Sequence, residues 1–374
     1  MPWYRKRIGE LLGRADIRAG GDRPWDIRVH DARFFRRVLT HGSLGFGESY
    51  MDGWWDCNKL DAMFFRLLGA KVHRSISDWQ SALLALRTRL FNLQTRTGAF
   101  QIGRRHYDLG EDLFQCMLDS RMMYSCGYWR DAGNLEDAQR AKLDLVARKL
   151  GLQAGMRVLD VGCGWGGAAK YMAENHGVEV VGVTVSEHQA RYGREQSAEL
   201  PVDIRLEDYR ALPREFSGYF DRVFSIGMFE HVGYRNYERY FDVVRRCLKP
   251  DGLFLLHTIG RNTSSTHTDP WIARYIFPRS NLPSIRQIGA AYEGRFVIED
   301  WHNFGADYDR TLLAWHDNFE SRCAKLPPVY DERFQRMWRY YLLSCAAGFR
   351  TRHLQLWQVV LSVQGVPGGY IAPR

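Results

Sequence analysis

Four glycines within six positions, Gly162, Gly164, Gly166 and Gly167, close and follow the β-rich run Arg157–Gly162, with Asp160 two residues ahead of the first. Glycines there let the backbone turn tightly and approach a ligand closely at the start of the next helix. Gly162, Gly164 and Gly167 alone match a dinucleotide loop, which is a weak signal. Two features turn the reading away from a dinucleotide. An acid precedes the first glycine by two positions, and the second strand ends in Val183-Thr184-Val185-Ser186 rather than in the acid that holds an NAD ribose. The loop is therefore read as a site for S-adenosylmethionine, whose amino-acid end sits over the glycines. Asp160, Gly162, Gly164 and Gly166 are its expected holders. Thr184 and Gln189 are expected to reach the ribose, and Asp208 and Tyr209 the adenine, where an acid can accept from the amine. Gln189 could instead be a polar side chain in solvent, and Asp208 a residue of a turn.

Four further clusters carry reactive side chains: Tyr124-Ser125-Cys126-Gly127-Tyr128-Trp129, Gly227-Met228-Phe229-Glu230-His231-Val232-Gly233, His257-Thr258-Ile259-Gly260, and Trp301-His302-Asn303-Phe304-Gly305-Ala306-Asp307-Tyr308. The elements that must position them read as alternating β and α. Arg157–Gly162, Val178–Val185, Asp203–Asp208, Phe220–Ile226, Gly252–Ile259 and Leu354–Val363 are expected strands, and Asn236–Leu248 and Asp331–Arg350 expected helices. This alternation implies an α/β fold with a doubly wound parallel sheet. Ligands in such sheets bind beyond the carboxyl ends of the strands, so the four clusters should converge. Between Arg261 and Phe296 the pattern breaks, as for an insertion that covers a substrate.

These strings resemble the cyclopropane-fatty-acyl-phospholipid synthase family. The resemblance rests on YSCGYW, VLDVGCGWGG, GMFEHVG, LLHTIG, DPWIARYIFP, EDWHNFGADYDRTL and LQLWQVV, from about Tyr124 to Val363. The segment from Phe46 to Trp55 extends it toward the amino terminus. It implies a class I S-adenosylmethionine methyltransferase fold, Rossmann-like, preceded by a smaller, mainly helical domain. The expected division is residues 1–110 for lipid binding and 111–374 for catalysis. Tyr124 and Ser125 join the expected cofactor residues.

The implied reaction adds a methylene to a cis double bond of a phospholipid acyl chain. The π electrons take the sulfonium methyl, and the resulting carbocation loses a proton from the added methyl as the ring closes. Such a site must be dry, lined with aromatic faces, and equipped with a weak base. By resemblance that base is a bound bicarbonate, held by Cys126, Glu230, His257, the backbone of Ile259, and Tyr308. Glu230 can accept from the bicarbonate hydroxyl, while His257 and Tyr308 can donate to its oxygens. Glu230 acting directly as the base is the alternative. Each residue also has a packing reading: a core tyrosine for Tyr308, a satisfied strand-end imidazole for His257. His231 is expected to support Glu230. Cys345 resembles a family cysteine but falls on the apolar face of a helix, where inert packing is expected.

The chain has 374 residues, a net charge of +9, 14% aromatics and seven cysteines with no CxxC pair. Zinc ribbons and redox dithiols are not expected, nor is any metal. No apolar run approaches the ~20 residues of a membrane span. Positive charge suits an anionic lipid surface or nucleic acid. The former is expected, on the inner face of the cytoplasmic membrane, with a homodimer implied by the resemblance. Ile76–Phe100 reads as an amphipathic helix, packed on its own domain or lying on a membrane. The aromatic excess suits either a greasy pocket or a bulky core. Three rival functions stand beside the main one. The first is lipid methylation that leaves a branch and no ring. The second is nucleic acid methylation, which lacks its Asn/Asp-Pro-Pro-Tyr/Phe and Pro-Cys signatures here. The third is a non-catalytic lipid-binding protein.

Overall fold

The computed structural model describes residues 3–72 and 110–374. The helix expected at Ile76–Phe100 lies outside the described residues. Contacts divide the chain into two units that do not follow chain order. One takes the described residues up to 72 with His267–Pro278 and Tyr308–Leu354. The other takes residues 110–266, Arg279–Asp307 and Gln355–Arg374.

The first unit is mainly helical, with helices Trp3–Arg14, Arg33–Met51, Leu60–Gly69 and Glu332–Arg350. Trp55 is fully buried, with ring centroids 4.6 Å from Phe46 and 4.9 Å from Tyr50. Tyr340 closes the cluster against Phe64 and Trp271. Trp54 lies under the guanidinium groups of Arg33 and Arg37, at 4.6 and 4.7 Å. Arg336 fastens Glu332–Arg350 to this core by donating to the carbonyls of Tyr50 and Trp55 and to Asp56. Trp55 thus serves packing: large rings bury the most apolar area per residue.

The second unit is built on seven strands: β1 Arg157–Val161, β2 Glu179–Thr184, β3 Val202–Leu206, β4 Phe220–Ile226, β5 Leu248–Arg261, β6 Val297–Asn303 and β7 Leu354–Ser362. Their order is β3-β2-β1-β4-β5-β7-β6. β1 pairs parallel with β2 and β4, β2 with β3, and β4 with β5. The chain runs outward from β1 to β3 and then returns to lay β4 on the other side of β1. A crevice opens beyond the carboxyl ends of β1 and β4, where such folds take their ligands. Val158, Leu159 and Val161 of β1 are all buried because both faces of the strand are covered. Helices Leu135–Leu150 and Gly167–His176 bury Leu143, Val146 and Met172 on one side, and helix Tyr237–Cys247 buries Tyr240, Phe241 and Val244 on the other.

Two expectations change. The sheet is mixed, because β6 pairs antiparallel with β7. β7 is buried along nearly its whole length, so it lacks the alternation that marks an antiparallel strand with one wet face. The supposed insertion is also partly regular. Ser284 and Gln287 form a reciprocal cap that starts helix Ile285–Tyr292, an ordinary crossover helix leading into β6.

Candidate active site

The glycine loop leaves β1 in backbone conformations that L side chains avoid. Gly162, Gly164 and Gly166 have φ of +86°, +54° and +81°. A Cβ on Gly162 would stand 2.5 Å from the Met228 side chain, so the loop and the turn after β4 meet in the crevice. The N–H groups of Gly162 and Cys163 both donate to Val183 O, at 2.9 and 3.0 Å, tying the loop to the end of β2. There Thr184 Oγ1 donates to Gln189 Oε1 at 3.0 Å. The Gln189 amide nitrogen then stands 4.0 Å from where a Gly164 Cβ would be. Gln189 is buried over the loop, so its surface reading fails.

Asp208 caps the turn Tyr209–Arg214 and is gripped by Arg210. Oδ1 accepts from Arg210 Nε at 2.8 Å and Oδ2 from Nη2 at 2.7 Å. A carboxylate has four lone-pair directions, so Asp208 keeps acceptor capacity. The buried Tyr209 hydroxyl has no hydrogen-bond partner among the described residues. Tyr124 meets Phe114 edge-on at 5.2 Å, and Phe114 lies 5.9 Å from Trp165 of the loop. Ser125 Cβ comes within 3.9 Å of a Cβ built on Gly227.

The reactive cluster grows from the register of β4 and β5. Ile226 pairs with His257, and Gly227 N–H donates to His257 O at 2.9 Å. The turn Phe229–His231 after β4 therefore stands beside His257-Thr258-Ile259. Glu230 is 5% exposed, and its Oε1 accepts from the Ile259 N–H at 2.6 Å. That N–H, expected to face a small anion, orients the carboxylate instead. Burial pushes the Glu230 carboxyl up to about 7, with the Ile259 N–H pulling against it. Its Oε2 is buried and has no partner among the described residues.

His257 is 1% exposed, and burial drives its pKa far below the ordinary value, helped by the charges of Lys142 and Lys149. The ring is neutral. Gln358 of β7 places its amide nitrogen 3.3 Å from Nδ1, and donation there leaves the ring proton on Nε2. Nε2 is likewise buried without a partner among the described residues. The Phe304 ring lies 5.8 Å from that of His257. Tyr128 and His302 pack on Phe304 at 5.3 and 5.0 Å, so the three rings form one aromatic group. Cys126 is fully buried, with Sγ 3.2 Å from Gly127 O. Burial lowers His231 to about 4, so it too is neutral. Tyr308 belongs to the first unit, where it stacks on Phe349 at 4.5 Å and meets Trp315 edge-on at 5.9 Å.

Three buried polar residues behind these sites escape the motif reading. Lys142 donates to Ser125 Oγ at 2.9 Å, Gln139 to Ser125 O at 2.8 Å, and Gln358 to His257. Lys142 and Gln139 stand three apart on one helix, a spacing that puts both on one face. In a mixed charged helix that signal is not distinctive. Burial lowers Lys142 to about 8 and raises Asp160 to about 8, each opposed by the other's charge.

Fold and glycine loop together define a class I S-adenosylmethionine-dependent methyltransferase. Coclaurine N-methyltransferase, 21% identical, shares this fold with a TM-score of 0.69 over 84% of this chain and 98% of its own. Residues 94–359 match the family described as mycolic acid cyclopropane synthetase, and the chain belongs to that family. It is 54% identical over 373 residues to the cyclopropane-fatty-acyl-phospholipid synthase of Escherichia coli (strain K12), covering 100% of this chain and 96% of that one. It is 34% identical to the tuberculostearic acid methyltransferase UfaA1 of Mycobacterium tuberculosis, covering 96% and 87%. The cyclopropane synthase MmaA2 from Mycobacterium tuberculosis matches in structure with a TM-score of 0.65 and 31% identity, over 72% of this chain and 99% of that one. CmaA1, a mycolic acid cyclopropane synthase solved with S-adenosylhomocysteine, matches with 0.64 and 32%, over 70% and 97%. Among the described residues, no helix is long and apolar enough to cross a membrane.

Proposed function

We propose that this chain converts cis double bonds in phospholipid acyl chains to cyclopropane rings, with Glu230 and His257 holding a bicarbonate. S-adenosylmethionine supplies the electrophilic carbon when bound. One observation carries the reading of the second group: two fully buried polar atoms, Glu230 Oε2 and His257 Nε2, lack partners among the described residues. One is an acceptor and the other, as a neutral imidazole, a donor. Bicarbonate offers one O–H and further acceptor oxygens, which complements that pair, and it supplies a weak base. Glu230 orients it by accepting, and the Ile259 N–H keeps the carboxylate in place. His257 donates without adding charge. Cys126 and Tyr308 enter the proposal on the motif resemblance alone. The aromatic wall of Phe304 and Tyr128 excludes water and faces developing positive charge.

The cofactor residues of the proposal are Tyr124, Ser125, Asp160, the loop glycines, Thr184, Gln189, Asp208 and Tyr209. The proposal further places the chain as a homodimer on an anionic membrane face, which the charge of +9 supports. Assay in carbon-dioxide-free buffer tests the second group. Turnover should fall at least about ten-fold and return when bicarbonate is restored. Unchanged turnover would leave Glu230 as the direct base.

A further inference from the structure

Lys142 is an unusual residue to find at 0% exposure, since a buried ammonium is costly unless its three donors are used. It projects from helix Leu135–Leu150 to Ser125 Oγ at 2.9 Å. Gln139, one turn earlier, holds the same segment by donating to Ser125 O at 2.8 Å and Met123 O at 3.3 Å. The segment is also pinned in front, where Asp119 accepts from Met123 N–H at 2.9 Å. Ser125 is therefore a fixed residue, 4% exposed. It lies beside Gly227, in the crevice where Met228 meets Gly162.

The direction of the hydrogen bond follows from chemistry. An ammonium only donates, so Ser125 Oγ accepts from Lys142 and its own hydrogen must point elsewhere. Among the described residues the Ser125 hydroxyl has no protein acceptor. The amino-acid end of S-adenosylmethionine, over the glycine loop, carries a carboxylate. We propose that Lys142 is a positioning residue for the cofactor, turning the Ser125 hydroxyl into an outward donor to that carboxylate. The inference rests on the placement of Ser125 at the cofactor. Donation to an anion is strengthened when the donor itself accepts from a cation. Asp119, Cys126 and Asp160 face the same ammonium, and His257 feels its charge.

Two ligands separate this role from a merely structural one. S-adenosylhomocysteine carries the carboxylate; 5′-methylthioadenosine keeps the nucleoside and lacks it. Calorimetric titration of the full chain should show Lys142→Met weakening S-adenosylhomocysteine about ten-fold or more. Binding of 5′-methylthioadenosine should stay within about two-fold. Equal loss for both ligands, or loss for neither, would overturn the inference. If Lys142→Met does not fold, Lys142→Gln keeps a donor without the charge and should give the same selective loss, smaller in size. Ser125→Ala tests the underlying placement separately. If it leaves S-adenosylhomocysteine affinity unchanged, Ser125 does not face the cofactor. If it weakens that affinity while Lys142→Met does not, the role of Lys142 alone fails.

Discussion

The backbone N–H of Ile259 donates to Glu230 Oε1 at 2.6 Å, so a β5 residue fixes a carboxylate carried on the turn after β4. The second oxygen of that carboxylate is buried with no partner among the described residues. One side of Glu230 is thus held and the other is free to accept. Glu230→Gln keeps the size and loses most acceptor strength, and should cut kcat at least about 100-fold.

The same substitution should stabilise the fold at high pH. The Glu230 carboxyl is raised from 4.5 to about 7 by burial. A raised folded pKa gives stability that is present below pH 4.5 and lost as pH rises through about 7. Above that the wild type holds a buried carboxylate at a cost of roughly 3 kcal/mol. The Tm difference between Glu230→Gln and wild type should grow from pH 5 to pH 8. A constant difference would mean that Glu230 does not titrate in this range.

Gln358 fixes the tautomer of His257. Gln358→Leu removes the 3.3 Å contact to Nδ1 and should lower kcat about ten-fold while leaving S-adenosylhomocysteine affinity unchanged. Nitrogen NMR of His257 should report a mixture of tautomers in the variant and protonated Nε2 in the wild type.

Gly162→Ala should fail at the cofactor step. Its φ of +86° disfavours any L residue, and the added Cβ would press on Met228 at 2.5 Å. Backbone strain alone costs on the order of 1–2 kcal/mol. Calorimetry should find S-adenosylhomocysteine binding weakened more than ten-fold.

Cys345→Ser should keep most activity. Desolvation pushes the thiol up to about 12, so it carries no thiolate at neutral pH. Loss of turnover in a folded variant would contradict this.

The glycine loop and β4 were legible because they are local: Phe220–Ile226 matches its expected span residue for residue. So was the meeting of the turn after β4 with the end of β5, where Glu230 accepts from the Ile259 N–H, since neighbouring strands of a parallel sheet end on one edge. The antiparallel pairing of β6 with β7 was not, since a strand buried on both faces carries no mark of direction. Lys142, Gln139 and Gln358 were hidden for a related reason. A polar residue in an amphipathic helix or an apolar strand looks ordinary until its burial and partner are known. The role of Trp55 was left open for another reason: large rings fit a greasy pocket and a tight core equally well, and only its full burial decides.

Ring formation on an acyl chain can be read from the product. The chain would be incubated with labelled S-adenosylmethionine and vesicles of cis-unsaturated phospholipid, and the acyl chains examined by mass spectrometry before and after hydrogenation. The expected product shows a gain of one CH₂, no remaining double bond, and resistance to hydrogenation. A gain of one CH₂ with the double bond retained, or no label in lipid at all, would contradict it.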